Sequence, residues 1–162
     1  MAYTPKETIT VRKTITLAGN GATTTNVFPL TGSVRIHEIG GTVTEATNST
    51  TLQNVALILY DGTNTVDITK SEVGTDCSAT TVGSFMYKGQ VETAAITYEE
   101  ADQCRFANVM QEGSGYGTVV TAKNGVATYI KVSFTGDANT DTDVQFFAKY
   151  TPLSVGSSIT AA

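Results

Sequence analysis

The chain contains one histidine, His37, and any catalysis that uses an imidazole base would have to depend on it. It lies between Ile36 and Glu38 in a segment whose pattern predicts a strand, and no G-x-S-x-G sequence, which would place a nucleophile on a sharp turn, occurs in the chain. We therefore interpret His37 as a structural or surface residue. The sequence predicts a protein that is not an enzyme.

An acidic segment near the C-terminus is the one candidate for a metal site. Its oxygen-bearing side chains alternate in the way that calcium-binding loops begin: Asp137, Asn139, Asp141 and Asp143. The rest of the EF-hand motif is missing, because Thr142 replaces the glycine of the sixth position and Ala148 replaces the glutamate of the twelfth. We favour a solvated connection between strands, with a weak calcium site completed by distant residues as the alternative, and we expect no cofactor.

The two cysteines, Cys77 and Cys104, could form the single disulfide available to the chain. Their spacing does not match a zinc site, which needs closely spaced pairs and further ligands. Free, buried thiols are the favoured interpretation in a reducing compartment. Whether the two residues ever pair stays open.

Composition excludes several classes of function. The 162 residues include 40% hydrophobic and only 15% charged residues, with a net charge of -5, so a packed core is expected. The scattered lysines and arginines cannot neutralise a phosphate backbone, which argues against nucleic-acid binding. No apolar run approaches the roughly 20 residues of a membrane span, and the N-terminus has no apolar signal region. No membrane partner is therefore expected.

Alternation of apolar and polar residues predicts β-strands. Thr8 to Leu17 has Ile9, Val11, Ile15 and Leu17 on one side. Val126 to Phe134 is predicted to direct Val126, Thr128, Ile130, Val132 and Phe134 inward, and Val144 to Thr151 does the same with Val144, Phe146, Ala148 and Tyr150. Val55 to Tyr60 is apolar throughout, which indicates a central strand covered on both faces.

Turn signals and a change of parity complete the prediction of the fold. Asp61-Gly62 and Asn124-Gly125 are favoured hairpin dipeptides, and the second should join its flanking strands to each other. The inward parity changes near His37-Glu38 or at Gly40-Gly41, which predicts a β-bulge. With turns at regular spacing and no long helix, the chain is expected to be all-β: one antiparallel β-sandwich of jelly-roll type over residues 1–162, with an N-terminal arm (1–7) and a flexible C-terminal tail (153–162).

Three segments resemble small structural proteins of tailed bacteriophages: Phe28 to Ile36, Ile39 to Thr44 and Leu57 to Thr63. Those proteins are β-sandwich capsid decoration, cement or head-fibre proteins, rich in threonine and without enzymatic activity. The resemblance implies a structural virion component that is made in the bacterial host cytoplasm and located on the capsid surface. We expect it to contact the major capsid protein or neighbouring virion proteins, as a homotrimer with closed symmetry.

Two alternatives belong to other classes. The first is a jelly-roll module that recognises a glycan or a receptor; its stacking platforms would be Tyr60, Tyr87, Tyr116 and Tyr129. The second is a structural protein of the phage tail or connector.

Overall fold

The computed structural model describes residues 7–45, 52–68, 82–88, 96–99 and 118–161. For 85–88 and 96–99 the description is limited to the backbone. Cys77, Cys104 and Tyr116 lie outside the described residues, as does the predicted N-terminal arm apart from Glu7.

The described part of the chain is built from strands and contains no helix. The eleven strands are β1 (Ile9–Ala18), β2 (Gly21–Thr31), β3 (Ser33–Glu45), β4 (Leu52–Tyr60), β5 (Thr65–Asp67), β6 (Phe85–Lys88), β7 (Ile96–Glu99), β8 (Thr118–Thr121), β9 (Thr128–Gly136), β10 (Asp141–Pro152) and β11 (Ser158–Ile159). This confirms the all-β class.

The strands form two sheets that pack face to face. The first sheet has the order β1-β10-β3-β6-β7, and β8 also pairs with β3. The second sheet has the order β11-β2-β9-β4-β5. All of these pairings are antiparallel. The predicted antiparallel β-sandwich is therefore confirmed.

The core lies between the inner faces of the two sheets. It is formed by alternate residues of each strand, because successive side chains point to opposite faces. In β9 the buried residues are Thr128, Ile130, Val132 and Phe134, and in β10 they include Val144, Phe146, Ala148 and Tyr150. Full burial of one such large apolar side chain contributes about 1.5 to 3 kcal/mol. Two of the residues predicted on the apolar side are exposed: Val126 is 40% exposed because β9 begins two residues later, at Thr128, and Ile9, the first residue of β1, is 43% exposed.

The apolar strand β4 is the interior strand that its composition predicts. It pairs with β9 on one side and with β5 on the other. Four consecutive residues, Val55, Ala56, Leu57 and Ile58, are each at most 8% exposed. Since successive side chains point to opposite faces, burial of consecutive residues means that both faces of this strand are covered.

The predicted β-bulge lies in β3. In the pairing of β10 with β3, Lys149 is opposite Glu38 while Tyr150 is opposite Ile36, so His37 is the extra residue. This explains the change of parity, since Val34 and Ile36 before the bulge and Ile39 and Val43 after it are all buried.

The turns gather at two ends of the sandwich. At the closed end, the β1–β2 turn at Gly19 and Asn20 lies beside the β9–β10 turn (137–140), because Gly21 pairs with Gly136 and Ala18 pairs with Asp141. At the groove end lie the β8–β9 loop (122–127), the β4–β5 turn (61–64), the β2–β3 turn at Gly32 and the loop 153–157.

The two predicted hairpin dipeptides have different outcomes. Asp61-Gly62 joins β4 and β5, which pair with each other as expected. Asn124-Gly125 does form a turn, with Gly125 at a φ of 73°. However, the strands that it joins belong to different sheets, since β8 pairs with β3 while β9 pairs with β2 and β4. The prediction that these flanking strands pair with each other was wrong.

The C-terminal tail is packed on the domain, so the prediction of a flexible tail was also wrong. Ser158 and Ile159 form β11 and pair with Thr31 and Leu30 of β2. Ile159 is 3% exposed, and the hydroxyl of Tyr150 donates a hydrogen bond of 3.1 Å to its carbonyl oxygen. One apolar residue and a few hydrogen bonds are enough to hold this short segment.

Candidate functional site

His37 is held by its position in the bulge of β3. Its Nε2 atom lies 2.8 Å from the hydroxyl oxygen of Thr151, so the pair ties the bulge to the end of β10. Burial lowers the pKa of His37 below 6.5, and the positive charges of Arg35 and Lys149 lower it further, while Glu38 opposes them. A neutral imidazole bonded to a strand hydroxyl favours the structural interpretation.

The first half of the acidic segment forms the β9–β10 turn at the closed end. The carboxylate of Asp137 accepts a hydrogen bond of 2.8 Å from the backbone N–H of Asn139. The N–H of Asp137 donates to the hydroxyl of Thr140 at 2.7 Å, and the N–H of Thr140 donates to the carbonyl of Asp137 at 3.1 Å. Asp137 therefore stabilises its own turn, as Asp side chains commonly do.

The second half of the acidic segment lies at the start of β10. Asp141 is exposed, and Asp143 accepts a hydrogen bond of 2.6 Å from the hydroxyl of Thr16 in β1. Among the residues that the structure describes, no group of three or more His, Cys, Asp or Glu side chains could hold a metal ion. The weak calcium site at Asp137, Asn139, Asp141 and Asp143 stays the untested alternative to a solvated connection.

A groove of about 580 Å³ opens at the groove end, between the end of β2 with Gly32 and the segment 122–129. The segment 122–129, which forms one side of the groove, is held in place by Thr128, which is 2% exposed. The hydroxyl of Thr128 accepts a hydrogen bond of 3.0 Å from the N–H of Lys123 and donates one of 3.3 Å to the carbonyl of Val126. The N–H of Ala122 donates to the carbonyl of Gly32 at 2.8 Å. These bonds preform the groove.

Ion pairing links two loops beside the groove. The Lys123 ammonium lies 3.3 Å from a carboxylate oxygen of Asp61 in the β4–β5 turn. The pKa of Asp61 is lowered well below its usual range, because the backbone N–H and side chain of Asn64 and the N–H of Thr63 donate hydrogen bonds to its carboxylate. These hydrogen bonds favour the charged form of Asp61.

Two tyrosines lie side by side near the groove on the outer face of the second sheet. Tyr60 of β4 is directly opposite Tyr129 of β9, which also lines the groove. The Lys131 ammonium is 3.8 Å from the centroid of the Tyr60 ring, a cation–π contact. Of the four predicted stacking tyrosines, these two are therefore brought together, while the side chains of Tyr87 and Tyr116 lie outside the description.

A smaller depression of about 360 Å³ lies on the outer face of the first sheet. Phe147 of β10 is flanked in register by Arg12 of β1 and by Gly40 of β3, which has no side chain. The ammonium of Lys149 pairs with the carboxylate of Glu38 at 3.1 Å beside it.

Sequence reasoning missed the groove because it expected the strands around Asn124-Gly125 to pair with each other. One signal was available: Thr128 is a hydroxyl at an inward position, and a buried hydroxyl needs a partner. The strand at Val55 to Tyr60 and the turn at Asp61-Gly62 were predicted, although β4 begins earlier, at Leu52, and nothing in these residues indicated contact with Lys123.

Comparison with known proteins identifies no relative: no protein-family model, no curated protein and no solved structure matches this chain. In the described ranges no helix is long and apolar enough to cross a membrane.

Proposed function

We propose that the protein is a non-enzymatic structural component of a bacteriophage virion, a capsid decoration or cement protein that stabilises the head shell. It acts as a homotrimer on the capsid surface, in contact with the major capsid protein. It is made in the cytoplasm of the bacterial host and reaches the virion by assembly.

The order in which the strands pair is the observation that carries this proposal. The pairs are nested around the β4–β5 turn: β4 with β5, β3 with β8, β2 with β9 and β1 with β10. A jelly roll has this nesting, because it is an eight-stranded antiparallel ribbon folded over into two sheets. On this assignment β6 and β7 are an additional hairpin beside β8. Jelly rolls are common in viral capsid proteins, which supports the proposed class.

The outer face of β1 supports a surface built for contact with protein. Thr10, Thr14 and Thr16 are exposed on the same face as Arg12. Threonine fits the pleated surface of a strand and presents a short hydroxyl that loses little entropy when a partner covers it. Such a face suits a position that repeats in a shell and is covered by a neighbouring protein.

Purified particles test the proposal directly. Mass spectrometry of intact particles should find the chain at a fixed number of copies, and immunolabelling should place it on the head. Particles that lack it should lose their DNA at a lower temperature. Light scattering should give a mass near three times 17.0 kDa. Absence from intact particles would refute the proposal, and labelling of the tail would favour a tail or connector component.

The groove and the tyrosine pair favour one second candidate, a module that binds a glycan. A saccharide ring could stack on Tyr129, with Asn124 and Lys123 within the same groove lining as polar partners. Jelly rolls also include lectin domains. A saccharide array probed with the wild type and with Tyr129→Ala tests it, with Val66→Ala on the exposed β5 as the matched control. Hits that only Tyr129→Ala loses would support glycan binding.

A further inference from the structure

The outermost strands of the two sheets differ greatly in length. Strand β1 has ten residues, whereas β7 has four, β5 three and β11 two. The part of β2 that β11 leaves uncovered is shorter than β1 and ends at a register shift after Asn26. Among the described residues, β1 therefore offers the longest continuous strand edge.

The pairing of β1 with its neighbour β10 is also regular along its whole length. It pairs with β10 from Ile9 opposite Tyr150 to Ala18 opposite Asp141 without a register shift. The strand contains no proline and no glycine. Proteins usually protect an edge with a bulge, a proline or a short strand, because a straight edge presents unpaired N–H and C=O groups to any extended chain. None of these three devices is present in β1, and the one protecting feature that it carries is the pair of charged residues at its centre, Arg12 and Lys13.

The charges of β1 select among the chains that could add to this edge. Arg12 and Lys13 stand at its centre, and Arg12 is exposed and takes part in neither of the ion pairs Lys123–Asp61 and Lys149–Glu38. Antiparallel pairing of β1 with the same strand of a second copy, centred on the strand, would bring these cations together, which is unfavourable for directly opposed residues. An extended segment that carries acidic residues would instead be attracted.

We propose that the edge of β1 is a docking site for an extended, acidic segment of a neighbouring virion protein, which adds to the first sheet as a further antiparallel or parallel strand. Backbone hydrogen bonds supply the affinity, and Arg12 and Lys13 supply the preference for acidic side chains. The inference rests on the proposed virion function, since it names the surface through which that function is exercised.

The test compares the binding of purified protein to particles assembled without it. The variant R12A/K13A removes two positive charges from the edge. The control T63E/T65E changes the net charge by the same amount at the exposed β4–β5 hairpin. We expect R12A/K13A to bind at least about tenfold more weakly than the wild type and the control to bind like the wild type. Amides of residues 9–18 should exchange more slowly when the wild-type protein is bound to particles.

A second pair of variants tests the backbone. N–H directions alternate along a strand, so either Thr14→Pro or Ile15→Pro removes an outward N–H while keeping the bonds to β10. The variant of the two that keeps the wild-type melting temperature should also lose particle binding.

The outcomes separate the two proposals. If the wild type does not bind particles at all, the virion function fails. If it binds, but R12A/K13A binds equally well and exchange in residues 9–18 is unchanged, the docking site at β1 is refuted while the virion function stands. If amides of residues 9–18 exchange more slowly in the free oligomer than in the monomer, a second copy occupies the edge, and this result would also overturn the inference.

Discussion

The closed end and the groove end of the sandwich both have glycines in their turns, but neighbouring atoms approach these glycines to different extents. At the closed end, Gly136 faces the carbonyl of Gly19 so closely that a Cβ atom there would clash with it and would come within 2.6 Å of the Thr140 hydroxyl. At the groove end, nothing lies within 4 Å of a Cβ built on Gly125. The turns of the closed end therefore meet through backbone at Gly136, and the loop of the groove end is open around Gly125, although a Cβ atom on Gly32 at the same end would clash with Ser157.

The difference in packing between the two ends does not come from the hydrogen bonds that hold their loops. A buried threonine hydroxyl accepts a backbone hydrogen bond in both: Thr140 from the N–H of Asp137, and Thr128 from the N–H of Lys123. Both loops are therefore held by the same device. What differs is the space around the two glycines: backbone lies close to Gly136, and no atom lies within 4 Å of a Cβ on Gly125.

The substitution Gly136→Ala should have the largest effect. Its Cβ atom meets backbone, which cannot move aside as a flexible side chain can, so we expect a loss of about 2 to 3 kcal/mol in the free energy of unfolding. Gly125→Ala is the matched change at the groove end, and it should cost only about 1 kcal/mol, because its φ is positive but no atom is in the way. Urea unfolding measures both, and equal losses would contradict the comparison.

The pair Thr128→Val and Thr140→Val tests whether the two loops are held alike. Each change keeps the shape of the side chain and removes the acceptor of one backbone N–H, so each should cost about 1 to 2 kcal/mol. Amide exchange should rise in residues 122–127 only in Thr128→Val, and in 137–140 only in Thr140→Val. A groove that collapses or opens without any change in exchange would break the analogy.

Thr142→Val should stabilise the protein. Thr142 is fully buried opposite Leu17 near the closed end, and its hydroxyl has no hydrogen-bond partner among the described residues. Removing an unsatisfied buried hydroxyl should gain about 1 kcal/mol, seen as a higher melting temperature. A lower melting temperature would show that this hydroxyl is paired after all.

The smallest change in stability should come from the protonation of His37, which lies in the β-bulge of β3. Its pKa in the folded protein lies below the ordinary 6.5. As the pH falls below that value, the unfolded chain binds a proton that the folded chain does not, so stability should decrease from pH 6.5 downward. His37→Gln should flatten this dependence in thermal unfolding between about pH 5 and 7.5. A variant with the same slope as the wild type would assign the slope to other groups.

Local patterns predicted those features that depend on neighbouring residues alone. The change of parity between Ile36 and Ile39 predicted the bulge, and the alternation in 144–150 predicted the buried face of β10. Asn124-Gly125 predicted a turn, but a turn dipeptide does not encode whether the next strand joins the same sheet. The groove depends on that choice. The docking of Ile159 was likewise invisible, since it depends on a space left at the end of β2.

The pairing of β1 with β10 has a consequence for folding during translation. Thr16 and Asp143, which bond to each other, are 127 positions apart in the chain. During synthesis β1 therefore cannot pair until β10 has also been made. Closing so long a loop is slow, and folds dominated by such distant contacts take on the order of milliseconds to seconds to form. Until β10 has been synthesised, β1 has no native partner in its sheet among the described strands.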